Sequence, residues 1–553
     1  MLITGFLKSA LSDPDAPCLH KYLNDIWLSY SRSEVVDAAT RLCAQWQRDG
    51  VSQGERVIVL MDNRPEWAVV AIASAMYGLV IVPAYTTHRV PEIEYLIRQS
   101  EAGLAVVLAG ELLDRFLETE LNQQLKVYSA EEHDRGLFSQ YVDASYQSQE
   151  SADPSVPYAL IATSGTNGNP KLVSLSQNNL LANVTSILQV LREADLLQPH
   201  RFLSFLPLAH AYEHMAGLYL PLHLGGEIFY CDKLDKLSPM MAEVQPTLMT
   251  AVPRLYELLY SRITAQIAKE SRIKQFLFKT TIRLGNQEKL SIKDAVLNRV
   301  CERLVRGKVR QRFGGKLQYF VSGGAALNPE ISSFFQGLGI GILQGYGQTE
   351  ASPVISVNRP GSERVDSVGP PLPGVEVCLA DDGELLVRGD NVMLGYWNDT
   401  EATSETIRNG WLHTGDLAAI DPDGHIRIVG RLKDLIVNSG GDNIAPAPIE
   451  QELSLYPEVE QVVVVGDGRP WLSAIISLSA DIDPSQGDEI LYSILKRYNA
   501  DKSPLVQVRK AVLMKEPCSI DNGLLTPTQK VKRAQVIQMY KESIDHLYRR
   551  SSS

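Results

Sequence analysis

Between residues 56 and 108 the chain alternates nearly uninterrupted apolar runs with helical stretches: "RVIVLM", "RPEWAVVAIASAMYG", "LVIVPAY", "VPEIEYLIRQSEAG" and "LAVVLA". Strands that are apolar on both faces must be buried on both, and strand–helix–strand repeats set successive strands side by side and parallel. This pattern predicts a parallel sheet covered on both faces by helices. It also decides the one segment that resembles a membrane span, "WAVVAIASAMYGLVIVPAY", Trp67 to Tyr85. Gly78 interrupts it and β-branched residues gather after the glycine, so a buried helix turning into a buried strand is expected. A second set of strand-like runs follows: "RFLSFLP", "GGEIFYC", "TLMTAVP" and "LQYFVSGGA". After Pro370 the texture changes to short strands joined by Asp-Gly turns, which mark hairpins. From about Leu432 a compact mixture of β and α runs to the C-terminus. The expected class is α/β. A large N-terminal domain, residues 1–431, holds two αβ-layered subdomains and a small β-barrel-like part, and a small α+β domain spans residues 432–553.

With 44% hydrophobic and 21% charged residues, the 553-residue chain has the composition of a globular protein. Its formal charge of -12 argues against a dedicated nucleic-acid binder. The acidity is uneven, because the stretch Arg262 to Lys316 is strongly basic. It reads either as a solvated helical face or as a patch for anionic lipid or a phosphorylated cosubstrate. Six cysteines lie far apart with no CxxC pair, which fits neither a disulfide scaffold nor a structural zinc site and suits a reducing compartment. The start "MLITGFLKSALSDPDAP" lacks the order of a signal peptide. A cytoplasmic protein is expected, with peripheral contact at the inner face of a membrane through residues 262–316 as a further expectation.

The stretch "ATSGTNGNPKL", Ala162 to Leu172, follows the apolar run "YALI". A Walker loop would need a second glycine before the lysine and a hydroxyl after it, and here Pro170-Lys171-Leu172 supplies neither. What remains is a loop of backbone N–H donors with Thr163, Ser164 and Thr166 hydroxyls, Gly165, Gly168 and the Lys171 cation, able to wrap a polyphosphate. Further on, "SGGAAL" (Ser322 to Leu327, with Gly324 and Ala325) follows a strand. "GYGQTE" places Tyr346, Gly347, Thr349 and Glu350 close together, so that an aromatic ring, a hydroxyl and an oxygen ligand for magnesium are neighbours. "WLHTGD" ends in Asp416, whose carboxylate could take a ribose diol. "GRLKDLIVNSGGDNIAP" carries Arg431 beside a domain joint, and "LLTPTQKVKR" offers Lys530 on a loop among threonines.

This ordered set, from Thr163 to Lys530, resembles the acyl-adenylate-forming (AMP-binding) superfamily over nearly the whole chain. The wording "LPLAHAYE", "AVPRLYELLY" and "LLTPTQKVKR" is most similar to the long-chain fatty acyl-CoA synthetases. The resemblance implies ATP-dependent activation of a fatty carboxylic acid to acyl-AMP and then to acyl-CoA, with ATP, Mg²⁺ and coenzyme A as cofactor and cosubstrates. It implies that Thr163 to Lys171 holds the β- and γ-phosphates, and that Gly324 and Ala325 lie against the adenine with Tyr346 stacked on it. Thr349 would contact the α-phosphate, Glu350 ligand the metal, and Asp416 and Arg431 hold the ribose. Lys530 would bridge the carboxylate and the α-phosphate, with His210 near the substrate carboxylate. Such enzymes swing a mobile C-terminal domain between half-reactions. Lys433 occupies the hinge position, and "NSGGDN", with Ser439, Gly440 and Gly441, would replace Lys530 for thioester formation.

Three residues depart from the family pattern: Asn167, Leu172 (often glycine) and Gln529. Leu172 is expected to pack. A rival class comes from "HAYEH", in which His210, Glu213 and His214 match the H-x-x-E-H spacing of a zinc peptidase. A nearer rival keeps the adenylation and hands the acyl group to an acyl carrier protein, or adenylates another carboxylic acid. Apolar walls for an acyl tunnel are sought in "HAYEHMAGLYL" and "AVPRLYELLY", where ordinary core packing gives the same spacing.

Overall fold

The computed structural model describes residues 2–131, 137–141, 146, 153–163, 170–287, 289–479, 482–526 and 530–549. The calls on Ser164, Gly165, Thr166, Asn167, Gly168 and Gln529 lie outside the described residues. Two large sheets, a smaller antiparallel sheet and a C-terminal domain make up the described chain. One sheet has seven strands in the order Gly395–Tyr396, Lys171–Ser176, Pro157–Thr163, Val80–Ala84, Arg56–Leu60, Leu104–Leu108 and Lys126–Ala130. From Pro157–Thr163 to Lys126–Ala130 every pairing is parallel, as the apolar alternation requires. The helix Pro65–Tyr77 is buried along nearly its whole length and ends at Gly78, whose φ of 86° is the left-handed cap that glycine adopts without strain. The strand Val80–Ala84 begins two residues later, so Trp67 to Tyr85 is the expected buried helix and strand. No described helix is long and apolar enough to cross a membrane.

The second sheet has eight strands in the order Val354–Val357, Gly341–Gly347, Tyr319–Ser322, Leu248–Ala251, Arg201–Ser204, Glu227–Tyr230, Pro17–Leu23 and Ile26–Ser31. Its centre is parallel and both edge pairs are antiparallel. The N-terminal hairpin was not foreseen, because Pro17–Leu23 finds its parallel partner in Glu227–Tyr230, about two hundred residues later. One continuous core, containing Trp46, Trp67 and Tyr219, joins one face of each large sheet, and separate cores cover their opposite faces. The expected barrel-like part is a five-stranded antiparallel sheet built on the long strand Trp411–Ile420. After the strand Ile426–Arg431 a tight turn, Leu432–Asp434, leads into the smaller domain. There the strands Val459–Val465, Leu472–Leu478 and Val508–Leu513 form a mixed sheet carrying the helices Pro446–Leu453, Gly487–Asn499, Arg533–Met539 and Lys541–Tyr548. This domain touches the larger one where the Gln451 side chain donates to the Ala326 carbonyl and the Asn328 side chain donates to the Gln451 carbonyl, both at 3.4 Å.

Leu172 is 4% exposed and packs with Ile58, Val82 and Leu160 on one face of the seven-stranded sheet. Its carbonyl accepts the Trp397 N–H at 2.8 Å, so the residue serves both the core and the sheet edge. Leu172→Ala leaves a cavity in that face and should lower the stability of this domain by about 2–4 kcal/mol. The measurement is the urea transition followed by tryptophan fluorescence; an unshifted transition would remove Leu172 from the core.

Candidate active site

The strand Tyr319–Ser322 of the second sheet runs out into Gly323 and Gly324. Gly324 has φ +85°, a conformation strained for any L side chain, and a Cβ on Gly323 would lie 3.0 Å from the Tyr212 ring. The neighbouring strand Gly341–Gly347 ends at a second constraint, since a Cβ on Gly347 would fall 1.9 Å from the Pro353 carbonyl oxygen. Both turns therefore bring bare backbone to the rim of one cleft of about 4330 Å³.

Asp416 and Arg431 are cross-strand partners in the antiparallel pair Trp411–Ile420/Ile426–Arg431, and their side chains meet at 3.2 Å. The Tyr346 hydroxyl, from the other sheet, donates to the second Asp416 oxygen at 2.5 Å. Burial raises the Asp416 carboxyl above its usual range, opposed by Arg431, the Tyr346 hydroxyl and Lys530. Behind Asp416, Glu384 accepts the Gly415 N–H at 2.8 Å and pairs with His413 at 2.7 Å, which fixes the turn that presents Asp416. Neither Glu384 nor His413 was singled out from the sequence, because their pairing joins residues 29 apart through a strand register that no local motif encodes.

Thr349 and Glu350 sit in the single turn Thr349–Ala351. Glu350 Oε1 accepts the Tyr396 hydroxyl at 2.9 Å, and the Lys171 ammonium lies 4.7 Å over the Tyr396 ring. Tyr396 was also missed; its strand, Gly395–Tyr396, pairs with Lys171–Ser176 and brings its ring beneath Lys171. Burial raises the Glu350 carboxyl. Thr163 faces Lys171 across the hairpin pair and its hydroxyl donates to the Lys171 carbonyl at 3.3 Å.

Lys530 enters the cleft from the smaller domain, on a turn held by the Thr526 N–H donating to the Lys530 carbonyl at 2.8 Å and the Lys530 N–H donating to the Thr526 hydroxyl at 3.0 Å. The residue is exposed to the solvent of the cleft that it lines. Its ammonium is pushed down to about 8 by desolvation and by Arg431, against the pull of Asp416. His210 is pushed down to about 3 by desolvation and then by Lys530, so its imidazole is neutral near pH 7. Its Nδ1 accepts the Tyr212 N–H at 3.2 Å, which leaves the proton on Nε2.

Lys433 is exposed on the turn Leu432–Asp434 and lines the cleft, whereas Ser439, Gly440 and Gly441 do not line it. They form an exposed hairpin turn closed by the Asn438 side chain, which accepts the Gly440 and Asp442 N–H groups at 2.8 and 3.0 Å.

Two family models match the chain: AMP-binding enzyme over residues 6–397 and AMP-binding enzyme C-terminal domain over residues 433–552. The chain belongs to the AMP-binding enzymes. Among curated relatives, it is 31% identical to long-chain-fatty-acid–CoA ligase FadD15 of Mycobacterium tuberculosis, covering 97% of this chain and 95% of that one. It is 32% identical to the peroxisomal long chain acyl-CoA synthetase 7 of Arabidopsis thaliana, over 90% of this chain and 78% of the relative. The fold matches that of ATP-bound MatB from Rhodopseudomonas palustris, with TM-score 0.75, 23% identity and coverage of 99% and 100%. It also matches the anthranilate CoA ligase AuaEII in complex with anthranoyl-AMP, with TM-score 0.77, 20% identity and coverage of 98% of each chain.

In this AMP-binding enzyme the zinc-peptidase reading of His210, Glu213 and His214 is overturned. His210 precedes the helix and caps it, so it does not share a helical face with His214. Glu213 is fully buried, with its oxygens accepting the Ser204 hydroxyl at 2.6 Å and the Thr250 hydroxyl at 2.7 Å. His214 is buried edge-on to Trp67, 5.2 Å between ring centres. Among the described residues no group of three or more His, Cys, Asp or Glu could hold a metal ion, so a cation at Glu350 would need ligands from a bound substrate. Apolar side chains also line the cleft, including Ala216 and Leu220 from the first expected stretch and Val252 and Leu255 from the second. The helix Gln177–Glu193 adds Ile187 and Val190, which the sequence reading did not name.

Gly217 makes room for Glu213, since a Cβ there would lie 2.2 Å from the carboxylate. Burial raises Glu213 from 4.5 to about 7, opposed by its two hydroxyl donors. An acid with a raised folded-state pKa contributes stability that is fully present below pH 4.5 and is lost as pH rises to about 7. Glu213→Gln should therefore flatten the fall of the unfolding midpoint across that window relative to wild type. Parallel wild-type and variant profiles would show that Glu213 is ionised throughout.

Proposed function

We propose that the protein is an acid–thiol ligase that activates a long-chain fatty acid with ATP and passes the acyl group to coenzyme A. The observation that carries this reading is the meeting of Asp416, Arg431, Tyr346, Glu350, His210 and Lys530 in a cleft that apolar side chains also line. The relatives named as long-chain ligases and synthetases support the choice of acid. In the first step a carboxylate oxygen of the acid attacks the α-phosphorus of ATP, and the bond to the bridging oxygen breaks to release pyrophosphate. In the second the thiolate of coenzyme A attacks the acyl carbon and AMP leaves.

In this reading Asp416 and Arg431 take the ribose hydroxyls, and Gly324 and Ala325 let bare backbone approach the adenine beside Tyr346. Thr163, Lys171 and the loop between them, with Thr349, hold the phosphates. Charge accumulates on the phosphoryl oxygens during the first step, and Lys530 supplies a cation there without reorganisation of solvent. The neutral His210 offers its Nε2 proton to a substrate carboxylate oxygen. Glu350 fits Mg²⁺: its Oε1 is held by Tyr396, burial raises its carboxyl, and a cation would relieve that cost. Bound there with the phosphates of ATP, Mg²⁺ would neutralise charge on the leaving pyrophosphate.

Residues 432–553 act as the mobile lid, turning about Lys433 to withdraw Lys530 and bring Ser439, Gly440 and Gly441 to the cleft. A substrate of this class partitions into membranes, which supports the reading of a cytoplasmic enzyme with peripheral contact at a membrane. Coenzyme A is the expected acceptor, and transfer exclusively to an acyl carrier protein would overturn that choice.

Exchange of radiolabelled pyrophosphate into ATP, screened over acids of graded length, tests the reading. Exchange should be strongest with long-chain acids, and none with any fatty acid would sink it. Lys530→Ala should lower exchange by about 10²-fold or more, the scale of losing one transition-state donor. Thioester formation from supplied acyl-AMP should suffer much less, and equal losses would unseat Lys530. Because the Lys530 ammonium titrates at about 8, wild-type exchange should fall as pH rises through that value. The residual activity of Lys530→Ala should lack that fall.

A further inference from the structure

Seven of the nineteen large apolar side chains left exposed in the described chain fall between Leu258 and Leu304. The helix Arg272–Gly285 buries Phe278 and Leu284 but leaves Ile273 and Phe276 80% and 69% exposed. The next helix, Ile292–Cys301, and its continuation through Glu302–Arg306 expose Ile292, Val296, Val300 and Leu304, with Ile292 at 89%. Residues spaced by four along a helix form one row. No described segment of the chain covers them.

The charge around this row is opposite to that of the molecule. Residues 262–316 hold fifteen lysines and arginines against four acidic residues, an excess of eleven positive charges in a chain of net -12. Arg272, Lys293, Arg299 and Arg303 are exposed there and make no ion pair among the described residues. Exposed apolar side chains set among cations are the pattern of a helix that lies in a lipid interface. We propose that these two helices dock the enzyme on an anionic lipid surface, with Ile273, Phe276, Ile292 and Val296 entering the headgroup layer. A second copy of the chain is disfavoured as the occupant, because a two-fold contact would press the same excess of positive charge against itself. The acidic remainder of the chain would be repelled by the same surface, which fixes the orientation.

The patch is joined to the cleft. Leu255 and Leu258 line the cleft from the helix Pro253–Ala268, and that helix packs against Arg272–Gly285. The purpose of docking, collecting a lipid-dissolved acid, rests on the proposed fatty-acid activity; the docking itself does not.

Flotation of the full chain with phosphatidylglycerol/phosphatidylcholine vesicles, and with pure phosphatidylcholine vesicles, tests the docking. Wild type should float with the anionic vesicles only and be released as salt rises. Arg272→Glu/Lys293→Glu/Arg299→Glu and, separately, Phe276→Ser/Ile292→Ser should each weaken flotation at least tenfold while the thermal midpoint stays unchanged, since these side chains are exposed. Pyrophosphate exchange with a detergent-dispersed acid should be as in wild type, and exchange with acid supplied in vesicles should fall. Wild type that ignores anionic vesicles, or variants that float like wild type, would overturn the proposal. So would a wild-type dimer that the same substitutions dissociate without any lipid binding. If wild type floats but exchanges pyrophosphate with no acid, the fatty-acid reading has failed and the docking surface stands.

Discussion

The Asp416 carboxylate is the point on which the cleft is hung. It is almost wholly buried, and a buried carboxylate is costly unless it is paired and hydrogen-bonded. Arg431 supplies the pair from the adjacent strand, Tyr346 supplies a hydroxyl from the eight-stranded sheet, and Glu384 with His413 holds the turn from behind. Two sheets with no shared strand are thereby tied at one atom group. The same knot sets the field felt by Lys530, which Asp416 attracts and Arg431 repels.

Four titrating groups of the cleft shift toward their neutral forms: Glu350 and Asp416 upward, His210 and Lys530 downward, with desolvation the first cause in each. Such a cavity is poor at holding its own charges. It gains from a ligand that brings both signs, as a polyphosphate with its counter-cation would. Lys530 differs from His210 in degree, since at about 8 it stays mostly cationic at neutral pH and at about 3 His210 is uncharged. One group is kept as a charge and the other as a neutral hydrogen-bonding ring.

Much of this was legible beforehand, for a physical reason. Strands such as Arg56–Leu60 and Val80–Ala84 are buried on both faces, so their composition alone carries their position. Gly324 and Gly347 were readable because only glycine fits the turn or the close approach that each makes. The N-terminal hairpin Pro17–Ser31 was not readable, because its place depends on a strand far along the chain. Tyr396 escaped for a similar reason: its hydroxyl serves Glu350, 46 residues away, and nothing beside it in sequence announces that. The rival reading of His210, Glu213 and His214 fails because spacing fixes a helical face only if all three residues are in the helix, and His210 stands outside it as the cap. Leu172 packs as expected, and its oddity within the family pattern is resolved by the core it fills.

Arg431 is the last residue of its strand, and the turn Leu432–Asp434 begins immediately after it. The Asp416–Arg431 pair thus belongs wholly to the larger domain, while Lys530 belongs wholly to the smaller one. The register that pairs Asp416 with Arg431 is complete before the turn begins. A recombination joint placed at this turn would splice a foreign C-terminal piece onto an intact Asp416–Arg431–Tyr346 knot, and the graft would have to match only the contacts made at Ala326 and Asn328 and the reach of Lys530.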